Sequence, residues 1–98
     1  MLYKDRKMSQ SEIDEIYEDF VIEIATKVSK KVKGKVFYGY ASIENMWYIK
    51  IKTRELGEKR FFLDTLDHDM LTGVSSKEIS DNIVKFYKEL IEKRFFII

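Results

Sequence analysis

Apolar residues recur at Ile13, Ile16, Tyr17, Phe20, Ile24, Val28 and Val32, a spacing of three and four that lines up one stripe of an α-helix. Ser9 to Glu12 has the S-x-x-E spacing of a capping box, with Ser11 as a competing cap, so a helix is predicted to open near Ser9. Gly34 stands where that helix can end in the left-handed conformation. The period then changes. Val36 to Ala41 is aromatic and β-branched and reads as a strand, weakened or bulged at Gly39. After a turn at Ile43-Glu44-Asn45, Met46 to Thr53 alternates strictly, with Trp47, Ile49 and Ile51 on one face and Tyr48, Lys50 and Lys52 on the other. Arg54 to Gly57 makes a short hairpin connection to a third strand over Lys59 to Thr65, in which Phe61 and Leu63 oppose Arg60, Phe62 and Asp64.

Leu66 to Gly73 shows no period and reads as an irregular connection. A second capping box, Ser75 to Glu78, then opens a last helix with the stripe Ile79, Ile83, Phe86, Tyr87, Leu90 and Ile91. These elements predict an α+β fold in the order helix, three-stranded antiparallel sheet, helix (αβββα). It is a two-layer sandwich with both helices on the Trp47, Ile49, Ile51, Phe61 and Leu63 face. Without proline or biased tracts, residues 1–98 read as one domain whose first eight residues form a flexible N-terminus.

Composition narrows the function classes. At 98 residues, a 14% aromatic and 36% charged chain is globular, with a core built from few, large side chains. The absence of cysteine excludes disulfides, thiolate metal sites and thiol nucleophiles, and fits a reducing compartment. No stretch approaches the ~20 apolar residues of a membrane span, and MLYKDRKMSQ lacks the apolar centre of a signal peptide, so the expected location is cytoplasmic, with no membrane partner. A net charge of +1 leaves any electrostatic function to local patches.

Asp64, Asp67, His68 and Asp69 are the residue types of a metal site, but Leu71 stands where an EF-hand loop needs another oxygen ligand. The stretch reads as a solvated turn with local hydrogen bonds. His68 is the one histidine, and no nucleophile elbow, phosphate loop or H-E-x-x-H helix accompanies it. The expectation is therefore no enzyme, no cofactor and no metal.

Two surfaces remain. Glu12, Asp14, Glu15, Glu18, Asp19 and Glu23 fill the first half of helix 1, and Lys27, Lys30, Lys31 and Lys33 its end, which complements the helix dipole. The same acidic cluster can act as a decoy for a nucleic-acid-binding surface on another protein. Opposite the core face, Tyr48, Lys50, Lys52, Arg60 and Phe62 are expected to stand with Tyr38 and Tyr40, and interleaved cations and rings are what single-stranded nucleic acid or RNA needs. The apolar Phe95, Phe96, Ile97 and Ile98 are expected to pack on the sheet or to join copies in a homo-oligomer.

The element order resembles the double-stranded-RNA-binding domain. The lysine cluster of that family's last helix is replaced by Ser75-Ser76-Lys77-Glu78, and its first inter-strand loop motif by Ile43-Glu44-Asn45, so its RNA contacts are not carried over. The acidic leading helix, the three-stranded meander and the Lys/Ile/Glu-rich ending from Ser75 to Ile91 resemble small phage-encoded inhibitors of Gram-positive hosts, the type II-A anti-CRISPR proteins that block Cas9. That resemblance implies a non-enzymatic, stoichiometric inhibitor, a phage or mobile-element protein whose carboxylates stand where a nuclease expects phosphates. Its partner contacts are Glu12, Glu15, Glu18 and Asp19 on the helix and Asp64, Asp67 and Asp69 in the loop, accepting from Arg or Lys of the partner.

Overall fold

A computed structural model describes residues 2–5 and 15–96, the last three by their backbone alone. In chain order the elements are β1 (Leu2–Lys4), α1 (Glu15–Ser29), β2 (Lys35–Ala41), β3 (Met46–Thr53), β4 (Gly57–Phe62), α2 (Leu66–Thr72) and α3 (Ser76–Phe96). The class is α+β, as the periodicities predict, but with three helices and a four-stranded mixed sheet in the order β1-β2-β3-β4.

Two elements correct the expected αβββα order. Leu2–Lys4, inside the stretch read as a flexible terminus, is an edge strand parallel to β2, with Leu2 beside Val36 and Lys4 beside Tyr38. Leu66–Thr72, read as irregular, is a short helix that Gly73 closes at a φ of 78°. A helix of two turns leaves no stripe long enough to register as a period; it is held by the tertiary contacts of Leu66 and Met70 with the core. The expected helix start at Ser9 to Glu12 lies outside the described residues.

β3 occupies the predicted Met46–Thr53, and β4 begins and ends two to three residues earlier than Lys59 to Thr65. Asn45 takes a positive φ of 55° in the β2–β3 turn, and Gly57 one of 66° where β4 leaves its hairpin. Gly34 has a φ of 147°, and a Cβ there would lie 2.7 Å from both the Lys52 carbonyl oxygen and Thr53 Cγ2, so the passage from α1 into β2 admits glycine alone.

The core lies between one sheet face and the helices. Trp47, Ile49, Ile51, Val36 and Tyr38 of the sheet meet Val21, Ile24, Ala25 and Val28 of α1 and Ile83, Val84 and Tyr87 of α3, with Phe61 and Leu63 packed against them. Tyr87 ties α3 to the sheet. Its hydroxyl lies 2.8 Å from Thr53 Oγ1, and its ring meets Phe61 edge-on with centroids 6.4 Å apart. The predicted cap of α3 is present on the serine side, where Ser75 Oγ accepts from Glu78 N–H at 3.2 Å. Phe86, assigned to the buried stripe of α3 by its spacing, is 63% exposed instead; Ser80 and Val84 take the inner positions beside α1.

Candidate functional site

Strand register and helix direction sort the charges. Residues 30–34 connect α1 to the start of β2, and a 15-residue helix at about 1.5 Å per residue is about as long as a seven-residue strand. The first turns of α1 therefore lie over the end of β2, where Tyr40 is paired with Trp47 and Leu63 N–H donates to the Trp47 carbonyl. That end of the sheet collects Glu15, Glu18 and Asp19 from α1, Glu44 from the β2–β3 turn, and Asp64, Asp67 and Asp69 from the β4–α2 segment. The opposite end collects Lys27, Lys30, Lys31 and Lys33 with Lys35, Lys52 and Lys59, interleaved with Glu55, with Glu58 opposite Lys52 and with Asp81 paired to Lys31.

Within the acidic end, Glu15, Asp19, Asp64 and Asp67 are exposed. Glu18 is half-buried with Lys4 Nζ 3.5 Å away, an ion-pair distance longer than a good hydrogen bond. Burial, then the Glu18 charge, raises the Tyr38 hydroxyl above its ordinary 10.0. Asp69 accepts from Thr65 Oγ1 at 2.9 Å. Glu12 lies outside the described residues. Asp67 and His68, adjacent on α2, diverge around the helix, and among the described residues no three side chains of His, Asp or Glu gather as a metal group.

The second sheet face differs from the expected basic aromatic platform. Cross-strand partners share a face, and Tyr38 pairs with Ile49 while Tyr40 pairs with Trp47, so both tyrosines stand on the helix side. Tyr40 meets Trp47 edge-on, with centroids 5.4 Å apart, and its hydroxyl donates to Asn45 Oδ1. Phe37 takes their place opposite the helices, because it pairs with Lys50.

Tyr48 and Lys50 do stand on that face but are only 4% and 9% exposed. β1 covers them. The Tyr48 hydroxyl donates to Asp5 Oδ2, and Lys50 Nζ reaches the same oxygen at 3.3 Å while lying 4.6 Å from the centre of the Phe37 ring. Asp5 N–H donates to the Tyr38 carbonyl at 2.9 Å, and Tyr3 stacks on Phe37 at 5.1 Å. Gly39 makes room for the Tyr48 ring, since a Cβ there would lie 2.6 Å from Tyr48 Cζ. Burial first, then the hydrogen bond to Asp5 and the Asp5 charge, push the Tyr48 hydroxyl up to about 12, against an opposing pull from Arg60. Arg60 lies 4.9 Å over the Tyr48 ring. Of the residues expected to bind nucleic acid, Lys52, Arg60 and Phe62 remain exposed.

Sequence reasoning missed Asp5, the centre of this network, because a lone carboxylate just past a three-residue strand carries no pattern. It also missed a groove of about 560 Å³ beside β4, walled by Phe61, Leu63, Ile79, Ile83, Phe86 and Leu90. Phe95 lies where only the backbone is described, as does Phe96, and Ile97 and Ile98 lie outside the described residues, so their expected packing is not part of this surface. Among the described residues no helix is long and apolar enough to cross a membrane. No protein-family model, curated protein sequence or solved structure matches the chain.

Proposed function

We propose that this chain is a non-enzymatic protein-binding module that presents the acidic end of its sheet to a basic surface on a partner. The reading extends to a phage or mobile-element inhibitor of a host nucleic-acid enzyme, with a type II-A Cas9 as the candidate target. The observation that carries it is the convergence of carboxylates from α1, the β2–β3 turn and the β4–α2 segment on one end of the molecule, with Glu15, Asp19, Asp64 and Asp67 exposed. The α1 dipole accounts for acids on its own first turns, but not for acids that two other segments bring to the same end. Carboxylates held on a rigid frame meet Arg or Lys with little ordering cost and exclude partners of like charge.

A nucleic-acid-binding sheet face has less support. Tyr38 and Tyr40 are turned inward, and Tyr48 and Lys50 are engaged with Asp5, so few rings are left for bases.

The test is titration of the chain against DNA cleavage by a guide-loaded type II-A Cas9, with a Glu15→Lys/Asp19→Lys variant alongside. Each charge-assisted contact contributes about 1.5–3 kcal/mol, so the double reversal is expected to raise the inhibitory concentration about a hundredfold or more while circular dichroism is unchanged. Unchanged potency in the folded variant, or no inhibition by the parent chain, refutes the reading.

A further inference from the structure

The sheet ends at β4, and the apolar groove runs beside that end. The 2.8 Å bond from Leu63 N–H to the Trp47 carbonyl sets the phase of the ladder. Lys59 and Phe61 turn their backbone groups toward β3, so Glu58, Arg60 and Phe62 turn theirs outward, where they form a template for another strand. Large apolar side chains flank this edge on both faces: Phe62 on the open side of the sheet, and Phe86, 63% exposed, on the helix side. An edge that no other described residue pairs and a half-covered groove in one place fit an occupant that adds a strand and brings its own apolar face.

We infer that the occupant is a second copy of this chain, with β4 antiparallel to β4 across a two-fold axis, joining two sheets into one and covering Phe86. This goes beyond the acidic-end reading and does not depend on it.

Charge selects the register. An axis through Glu58, Lys59 or Arg60 sets that residue opposite itself, and like charges directly opposite are destabilising. An axis through Phe61 sets no like charges within β4 opposite one another, and Glu58 falls opposite Asp64, which lies in the turn beyond the strand. It pairs Phe61 with Phe61 and sets each Arg60 against the other copy's Phe62, extending the contact with an aromatic face that Arg60 already makes with Tyr48 at 4.9 Å. An unrelated strand would satisfy the outward backbone groups equally well. The reciprocal Arg60–Phe62 match, in the register that pairs residues 60–62 of the two β4 strands with no like charges among them, favours self-association.

Sedimentation equilibrium on the full chain and on Phe86→Lys, Phe62→Lys and Phe62→Glu variants tests this. The full chain is expected at the mass of two copies. Phe86→Lys and Phe62→Lys are expected at the mass of one, with the circular dichroism of the parent; the second places a cation opposite Arg60. Phe62→Glu places a carboxylate opposite Arg60 twice over, so its dimer is expected to be about tenfold tighter. A monomeric full chain overturns the inference. So does a reversed order of the two Phe62 variants, which would place Phe62 opposite Glu58, or a chain ending at Arg94 that is monomeric, which would move the interface to the tail.

Discussion

Replacing Asp5 by Ala tests whether the second sheet face is held by one carboxylate. The change leaves the Lys50 ammonium, in a residue only 9% exposed, without its partner at 3.3 Å, and the Tyr48 hydroxyl without its acceptor. Breaking a fully buried pair costs about 3–5 kcal/mol. Here the Asp5 side chain keeps 19% exposure and Phe37 still faces the ammonium at 4.6 Å, so water and the ring recover part of that. With about 1 kcal/mol for the lost hydroxyl bond, the expected destabilisation is about 2–3 kcal/mol. For a domain of this size that corresponds to a melting point lower by roughly 10–20 °C. Urea unfolding followed by Trp47 fluorescence measures it, since Trp47 is in the core. Asp5→Asn keeps an acceptor for Tyr48 but no charge, and is expected to cost about 1 kcal/mol. A cycle with Lys50→Met isolates the pair, with an expected coupling of about 1–2 kcal/mol. An Asp5→Ala chain within about 0.5 kcal/mol of the parent, the range of ordinary surface substitutions, would refute the reasoning.

Tyr48 holds its proton more tightly in the folded state, so its stabilisation is whole below pH 10 and is lost as the pH rises from 10 toward about 12. Tyrosinate absorbance should show a late step that Tyr48→Phe removes; ionisation of Tyr48 near pH 10 would contradict the buried network. Gly34→Ala places a Cβ 2.7 Å from a backbone oxygen at a φ of 147° and is expected to destabilise by about 3 kcal/mol in urea titration, whereas a cost under about 1 kcal/mol would show that the α1–β2 junction yields. Ser75→Ala removes the acceptor for Glu78 N–H, with an expected loss of about 1 kcal/mol and partial recovery in Ser75→Asp; equal stability of Ser75→Ala and the parent would mean that the cap contributes nothing.

Much of the frame is legible in the order of residues. β3 could be read to its ends because its apolar residues alternate against polar ones, and the existence of α1 and α3, though not their ends, because their stripes run long enough to establish a period. Acids at the start of α1 and lysines at its end were legible in the order of residues, and so were the members of the acidic end except Glu44, though not their convergence. Tyr38 and Tyr40 were assigned to the wrong face because Val36 to Ala41 is apolar on both, and a period of two carries no phase when neither face is polar. Pairing with Ile49 and Trp47 supplies the phase. β1 and α2 are too short to show a period at all, and they exist through what they touch: β1 through its ladder to β2, with Asp5 beyond it bound to Tyr48 and Lys50, and α2 through Leu66 in the core.

One pentapeptide divides the two kinds of information. Glu-Lys-Arg-Phe-Phe occurs at residues 58–62, where it is strand β4, and again at 92–96, where it is the last stretch of α3. Composition and local pattern determined that the chain has two long amphipathic helices, a hairpin-linked sheet and segregated charge. The flanking pattern read residues 59–62 as part of a strand, but the pentapeptide by itself does not fix its element, because intrinsic preferences separate helix from strand by only about 1 kcal/mol for ordinary residues. At residues 58–62 the ladder to β3 decides, and at 92–96 the continuation of a helix already nucleated and packed on α1 decides. The sequence therefore determined which elements were available, and tertiary contact decided which face, which phase and, for residues 92–96, which element.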